Sequence, residues 1–111
     1  TLVLYQPLPS IHNSYPPFWF NIAKIGELTG VHDHAQFSSI SGVVYLKSNL
    51  LSGDLYFKKE AEDDLLIIPE VGKMVLFPSH LKHGVHPNQS DDERISLAFN
   101  LYPFPLPSSE W

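Results

Sequence analysis

The chain has no cysteine, so neither a disulfide framework nor a thiolate metal site is open to it. It has no apolar run of about 18 residues, which leaves no segment suited to cross a membrane as a helix. No basic stretch leads into an apolar one near the start, so no signal peptide is read and a cytoplasmic protein is expected. Basic residues are scarce: seven Lys and Arg stand against twelve Asp and Glu, for a net charge of −5. That balance argues against gripping phosphates, and no nucleic-acid partner is expected. Helical periodicity is nearly missing, and no repeat or low-complexity tract stands out.

What is present suits strands. The 111 residues leave room for one core, read as a single domain over 1–111 with its centre at about 18–103. Aromatic residues make up 13%, charged residues 17%, and ten prolines punctuate the sequence. Such a mix favours many short strands and turns. Strand-like runs are Leu2–Tyr5, Phe18–Ile25, Phe37–Leu46, Leu55–Phe57, Leu65–Ile68, Met74–Phe77, a short His83–His86 and Arg94–Tyr102. Gly26 ends the second run, Gly30 breaks the chain before His32, and Lys58–Asp64 reads as a solvated tip. In the last run Ile95, Leu97, Phe99 and Leu101 alternate with Arg94, Ser96, Ala98 and Asn100. Period two predicts that the second set faces the interior and the first packs outward. Seven or eight short strands imply an all-β fold, an antiparallel sandwich or a jelly-roll barrel.

The candidate chemistry lies in three histidines. His32 and His34 are two apart, and His83 follows 49 residues later, after the apolar run Met74–Phe77. Residues i and i+2 of a strand share a face, with side chains about 6–7 Å apart, so two imidazoles there can grip one ion. A third from a distant strand would close a mononuclear site. Neutral imidazole suits Fe, Zn, Cu or Ni. His12 lies in a loop-like segment, and His80 and His86 flank His83 at offsets that make them rim residues. The bland alternative is a sandwich without metal, its histidines scattered by chance.

Taken in order, these segments resemble the 2-oxoglutarate and Fe(II)-dependent oxygenases, in particular their prolyl-hydroxylase-like branch. His32-Asp33-His34 stands where that family has His-x-Asp, and Ser41-Gly42-Val43-Val44-Tyr45-Leu46 resembles the strand after it. Gly53-Asp54-Leu55-Tyr56-Phe57 resembles the family's Gly-Gly-x-Leu strand. Leu76-Phe77-Pro78-Ser79 and His83-Gly84-Val85-His86-Pro87 resemble the segment with the distal histidine. Arg94–Asn100 resembles the last core strand, which the cosubstrate-binding Arg begins. His-x-His followed by Ser-Gly-x-x-Tyr is also similar to a subgroup found in marine bacteria and phages.

The resemblance implies a double-stranded β-helix, a jelly-roll, cupin-like barrel. It further implies Fe(II) on His32, His34 and His83, with 2-oxoglutarate as cosubstrate. Arg94 would hold the far carboxylate, since a planar, permanent cation matches a carboxylate with two parallel hydrogen bonds. The bland reading of Arg94 is a strand-end cation paired with Asp91, Asp92 or Glu93. Tyr45 would add a phenolic hydrogen bond, or is simply a packed barrel tyrosine. The substrate, a small molecule or a protein side chain, is left unidentified. One departure stands out: His34 replaces the usual carboxylate of the triad, and Asp33 serves only if the loop bends.

The rival family is the cupins. Gly26, five residues and His32-x-His34 fit their first motif, but Ser38 and Ser39 stand where Glu is expected. Gly72, five residues, Pro78 and His83 fit much of the second motif. A three-His cupin dioxygenase or lyase, or a non-catalytic metal-stabilised binding domain, are therefore the alternatives. A homo-oligomer covering Phe18, Trp19 and Phe20 is a further expectation.

Overall fold

Arg94–Pro103, the last strand (β9), organises the molecule because both of its edges are paired. The computed structural model describes residues 2–4, 17–33 and 40–103. Along one edge of β9 runs β4 (Ile40–Lys47), with Ser41 opposite Asn100 and Tyr45 opposite Ser96. Along the other run β2 (Phe18–Ala23) and, beyond it, β1 (Leu2–Val3). β7 (Met74–Pro78) closes this five-stranded sheet by pairing with β4. The second sheet has the order β3 (Thr29–His32), β8 (His83–Val85), β5 (Leu55–Phe57) and β6 (Leu65–Ile67). All pairings are antiparallel, and there is no helix among the described residues. Sheet orders 2-9-4-7 and 3-8-5-6 wind the chain alternately between two layers, which is the double-stranded β-helix.

The strands start and stop where the side chains dictate. Val43, Val44 and Tyr45 carry the β-branched and aromatic bulk that suits a pleated, half-buried surface. Leu55, Phe57 and Phe77 form the buried core, with Val43, Ile67, Val75, Leu81 and Val85 against it. Phe57 and Phe77 meet edge to face, 4.9 Å between ring centres. The charged segment after β5 is exposed, with Lys58 and Asp64 paired at 3.2 Å.

β9 has the alternation that its sequence predicts. Arg94, Ser96 and Asn100 are buried, and with Ala98 they line the interior. Leu97, Phe99 and Leu101 lie on the opposite face, beside Leu4 and Phe18.

One expectation needs correction. Gly30 does not break the chain before His32; it lies inside β3, where the register against β8 shifts between Thr29 and His32. Thr29-Gly30-Val31-His32 has little strand propensity of its own, and pairing with β8 holds it in the sheet. His32 is therefore the last residue of β3. Asn88, between β8 and β9, is fully buried at 0% exposure. Its amide donates to the Ala23 carbonyl at 2.9 Å and the Asp92 carbonyl at 2.8 Å, and its carbonyl accepts from the Ser90 N–H at 2.9 Å. One side chain thus ties the segment before β9 to the end of β2. Asn88→Ala removes all three bonds and strands buried backbone groups, so unfolding free energy should fall by about 2–4 kcal/mol in urea denaturation. A loss under about 1 kcal/mol would show the knot to be incidental.

Candidate metal centre

His32 and His83 meet across the β3–β8 ladder. They are Cα partners in the register, and their ring centres lie 4.3 Å apart. Each ring is oriented from its own chain. The His32 Nδ1–H donates to the Gly30 carbonyl at 2.8 Å, and the His83 Nδ1–H donates to the Leu81 carbonyl at 3.0 Å. A carbonyl only accepts, so each ring in its neutral form is the Nδ1–H tautomer with its lone pair on Nε2. Such backbone anchoring is how ligating imidazoles are commonly aimed.

The surroundings favour the neutral form of the His83 ring. Burial pulls His83 below the ordinary imidazole pKa of 6.5; the bond to Leu81 opposes this, His32 adds to it, and Asp33 opposes it. Phe77 packs edge-on to His83 at 4.7 Å between ring centres, which extends the apolar core to the imidazole. His34 and His12 lie outside the described residues, so the fold brings together two of the three histidines within what is described. Asp33 is exposed and follows β3 directly. His80 is exposed, and His86 stacks on Tyr56 at 4.5 Å.

Arg94 lies further along the same barrel. Only 3% of the residue is exposed, and its Nη1 donates to the Ser52 carbonyl at 2.5 Å and the His86 carbonyl at 3.4 Å. No carboxylate forms a salt bridge with it among the described residues, which sets aside pairing with Asp91, Asp92 or Glu93. Gly53 explains how two carbonyls converge there. Its φ is +97°, and a Cβ at that position would strike the His86 carbonyl oxygen. Only glycine lets the Ser52–Asp54 backbone lie against His86–Pro87.

Tyr45 is equally buried and faces the same interior. Burial pushes its phenol up from 10.0 to about 12, with Arg94 lowering and Asp54 raising it to a lesser degree. The phenol is therefore a neutral donor at physiological pH. Ser41 donates to Asn100 Oδ1 at 2.7 Å and lies 3.0 Å from the Ser79 hydroxyl, which forms a buried polar cluster on the same wall. Ser96 also faces the cavity, two residues beyond Arg94. Sequence reasoning gave it no role, although the alternation already placed it inside.

One cavity of about 110 Å³ joins these groups, reaching His32, His83, Tyr45, Arg94, Ser96 and Asn100. His86, whose carbonyl accepts from Arg94, is three residues past His83, a distance of about 10 Å along a strand. A tethered slot therefore runs from an imidazole pair to a cation. Since the Tyr45 pKa is raised on folding, its contribution to stability is complete below pH 10 and is lost as pH climbs from 10 towards 12. Phenolate absorbance should show one of the five tyrosines ionising near pH 12, a step absent from Tyr45→Phe. If every tyrosine ionises near pH 10, that environment is wrong.

Residues 56–100 match a family described as "Putative 2OG-Fe(II) oxygenase". No curated protein matches the chain. An oxidoreductase of the 2OG-Fe(II) oxygenase family from Burkholderia pseudomallei superposes with a TM-score of 0.69 at 17% identity, over 77% of this chain and 45% of that one. A prolyl-4-hydroxylase from Pseudomonas putida gives 0.63 at 23% identity, over 78% and 52%. A cupin domain from Bordetella pertussis gives 0.55 at 19% identity, over 87% and 94%. At these identities the structural likeness is one of fold. The chain spans about half the length of the two oxygenases that it matches. The sequence likeness to the 2OG-Fe(II) oxygenases thus covers residues 56–100, and the likeness to those two structures is in the double-stranded β-helix.

Proposed function

We propose that the chain is the barrel of a 2-oxoglutarate-dependent Fe(II) oxygenase that hydroxylates a substrate not yet identified. The carrying observation is the single cavity with an aimed imidazole pair at one place and a buried arginine, unpaired with carboxylate among the described residues, at another. The donor set fits a borderline divalent metal: two imidazoles, each anchored through Nδ1 so that its neutral form offers Nε2. His34 supplies the third ligand in this reading, with Asp33 as the alternative. Bound Fe(II) would supply the capacity to activate dioxygen.

The chain's own residues do the rest. Arg94 holds the far carboxylate of 2-oxoglutarate, the Ser52 and His86 carbonyls having fixed one edge of its guanidinium. Tyr45 donates its phenolic proton to the same carboxylate. The walls at Leu55, Phe77 and Val85 limit water around the keto acid. The overall reaction balances as 2-oxoglutarate, O2 and R–H giving succinate, CO2 and R–OH. A cupin-type metal protein is the second reading. It is favoured by the Bordetella cupin domain, whose length this chain nearly fills.

An anaerobic Fe(II) titration with 2-oxoglutarate tests the proposal. A weak visible charge-transfer band is expected from bidentate chelation, and its absence would favour the cupin reading. Calorimetry on the metal-loaded protein should show Arg94→Ala weakening 2-oxoglutarate binding about 30- to 1000-fold, with metal binding nearly intact. Arg94→Lys should recover only part of that loss, and Tyr45→Phe should cost about 1 kcal/mol. His83→Ala should lose most metal affinity while His86→Ala does not. Equal losses would mean that the ligand is misassigned.

A further inference from the structure

Arg94 is the only arginine of the chain, and it is held at both ends. At its tip, Nη1 meets the carbonyl of Ser52, which ends the turn 49–52 between β4 and β5. At its root lies the connector from β8 to β9. These two segments are distant in sequence, yet side chains tie them together.

The turn first closes on itself. The Ser52 N–H donates to the Asn49 carbonyl at 3.1 Å, the Leu51 N–H to Asn49 Oδ1 at 2.8 Å and the Asn49 N–H to Ser52 Oγ at 2.8 Å. Those bonds shape the turn but do not seat it in the barrel. Apolar packing does not seat it either, because Leu50 and Leu51 are 80% and 59% exposed. Two bonds to the β8–β9 connector do. Asn49 Nδ2 donates to Ser90 Oγ at 2.6 Å, and the Gln89 N–H donates to the Leu51 carbonyl at 2.7 Å. Ser90 Oγ also accepts from the N–H of Asp92 at 3.0 Å, two residues before Arg94. One hydroxyl, on a buried residue, thus joins the turn that meets the guanidinium to the backbone from which Arg94 springs.

We propose that Asn49 and Ser90 form a latch that positions the Arg94 guanidinium for a carboxylate; both are positioning residues. The inference rests on the oxygenase reading only for the identity of that carboxylate, the far end of 2-oxoglutarate. A long arginine side chain has much rotamer entropy, and a two-point carboxylate contact needs its planar fork in one orientation. Fixing root and tip beforehand removes that ordering cost from binding. The Ser52 carbonyl is only as fixed as the turn that carries it, so the latch decides how well the guanidinium is held. Asn49 is exposed, and water would serve its amide equally well. Its bond to a buried hydroxyl is therefore a tie between segments, not the rescue of a stranded polar group.

Two measurements test the latch. The first is calorimetry with 2-oxoglutarate on the metal-loaded chain, for the parent, Asn49→Ser, Ser90→Ala and the double variant. Serine at 49 keeps an acceptor for the turn but is too short to reach Ser90. Each single variant should weaken 2-oxoglutarate about 3- to 10-fold with metal affinity unchanged. The double variant should lose no more than the weaker-binding single one, because both remove the same bond. The second measurement needs no ligand. An isotope-labelled chain gives one arginine Nε–H signal in NMR, and its exchange with solvent should be at least ~10-fold faster in either variant than in the parent. Should Ser90→Ala fail to fold, Asn49→Ser carries both comparisons. Parental exchange in the variants overturns the latch. Faster exchange with parental 2-oxoglutarate affinity, or losses that simply add in the double variant, overturns the positioning role. A parent that binds no 2-oxoglutarate sinks the oxygenase reading instead, and the exchange rates still decide whether the latch holds Arg94.

Discussion

Arg94 is a permanent cation held almost out of water, and much of the barrel's arrangement follows from that constraint. An isolated buried charge is costly unless hydrogen bonds and a counter-charge compensate it. The Ser52 and His86 carbonyls provide the hydrogen bonds. Gly53 permits their convergence by taking a backbone conformation that other residues resist. Asn88 ties the segment before Arg94 to the end of β2, so that β9 enters the sheet in one register. Among the described residues no carboxylate completes the compensation. An anion that enters the cavity would find the cation already desolvated and its geometry already set, which is what makes a bound carboxylate strong there.

The imidazole pair obeys the same logic on a smaller scale. His32 and His83 lie on neighbouring strands in direct register, and each is fixed by a carbonyl two residues upstream. Burial keeps His83 neutral, so the lone pair persists below the ordinary imidazole pKa. β8 then relates the two ends of the cavity, because His83 begins it and the His86 carbonyl, just past its end, reaches Arg94. One short strand sets the separation of imidazole pair and cation. This explains how a barrel with so small an apolar core still holds a defined interior: hydrogen bonds, more than hydrophobic packing, fix its wall.

The polar interior has a counterpart outside. Since β9 alternates strictly, placing Arg94, Ser96 and Asn100 inward sends Leu97, Phe99 and Leu101 outward. The polar wall of the cavity and the apolar outer face are thus the two sides of one strand pattern.

The sequence by itself determined the strand-rich class, the phase of β9 and the candidate histidines His32, His34 and His83, while Arg94 and Tyr45 came from the family resemblance. Period-two alternation and residue chemistry are local properties, readable without neighbours. Asn100 was legible as an interior residue for the same reason. Only the tertiary structure decided that His32 closes β3, that Gly30 lies within it, and that Asn88 is a buried knot. Each depends on a partner far away in the chain: β8 for β3, and the end of β2 for Asn88. The tertiary structure also decided that Arg94 is buried rather than a strand-end cation, because its burial depends on carbonyls 42 and 8 residues distant in sequence. Strand propensity and charge are carried by single residues, whereas register and desolvation exist only between them.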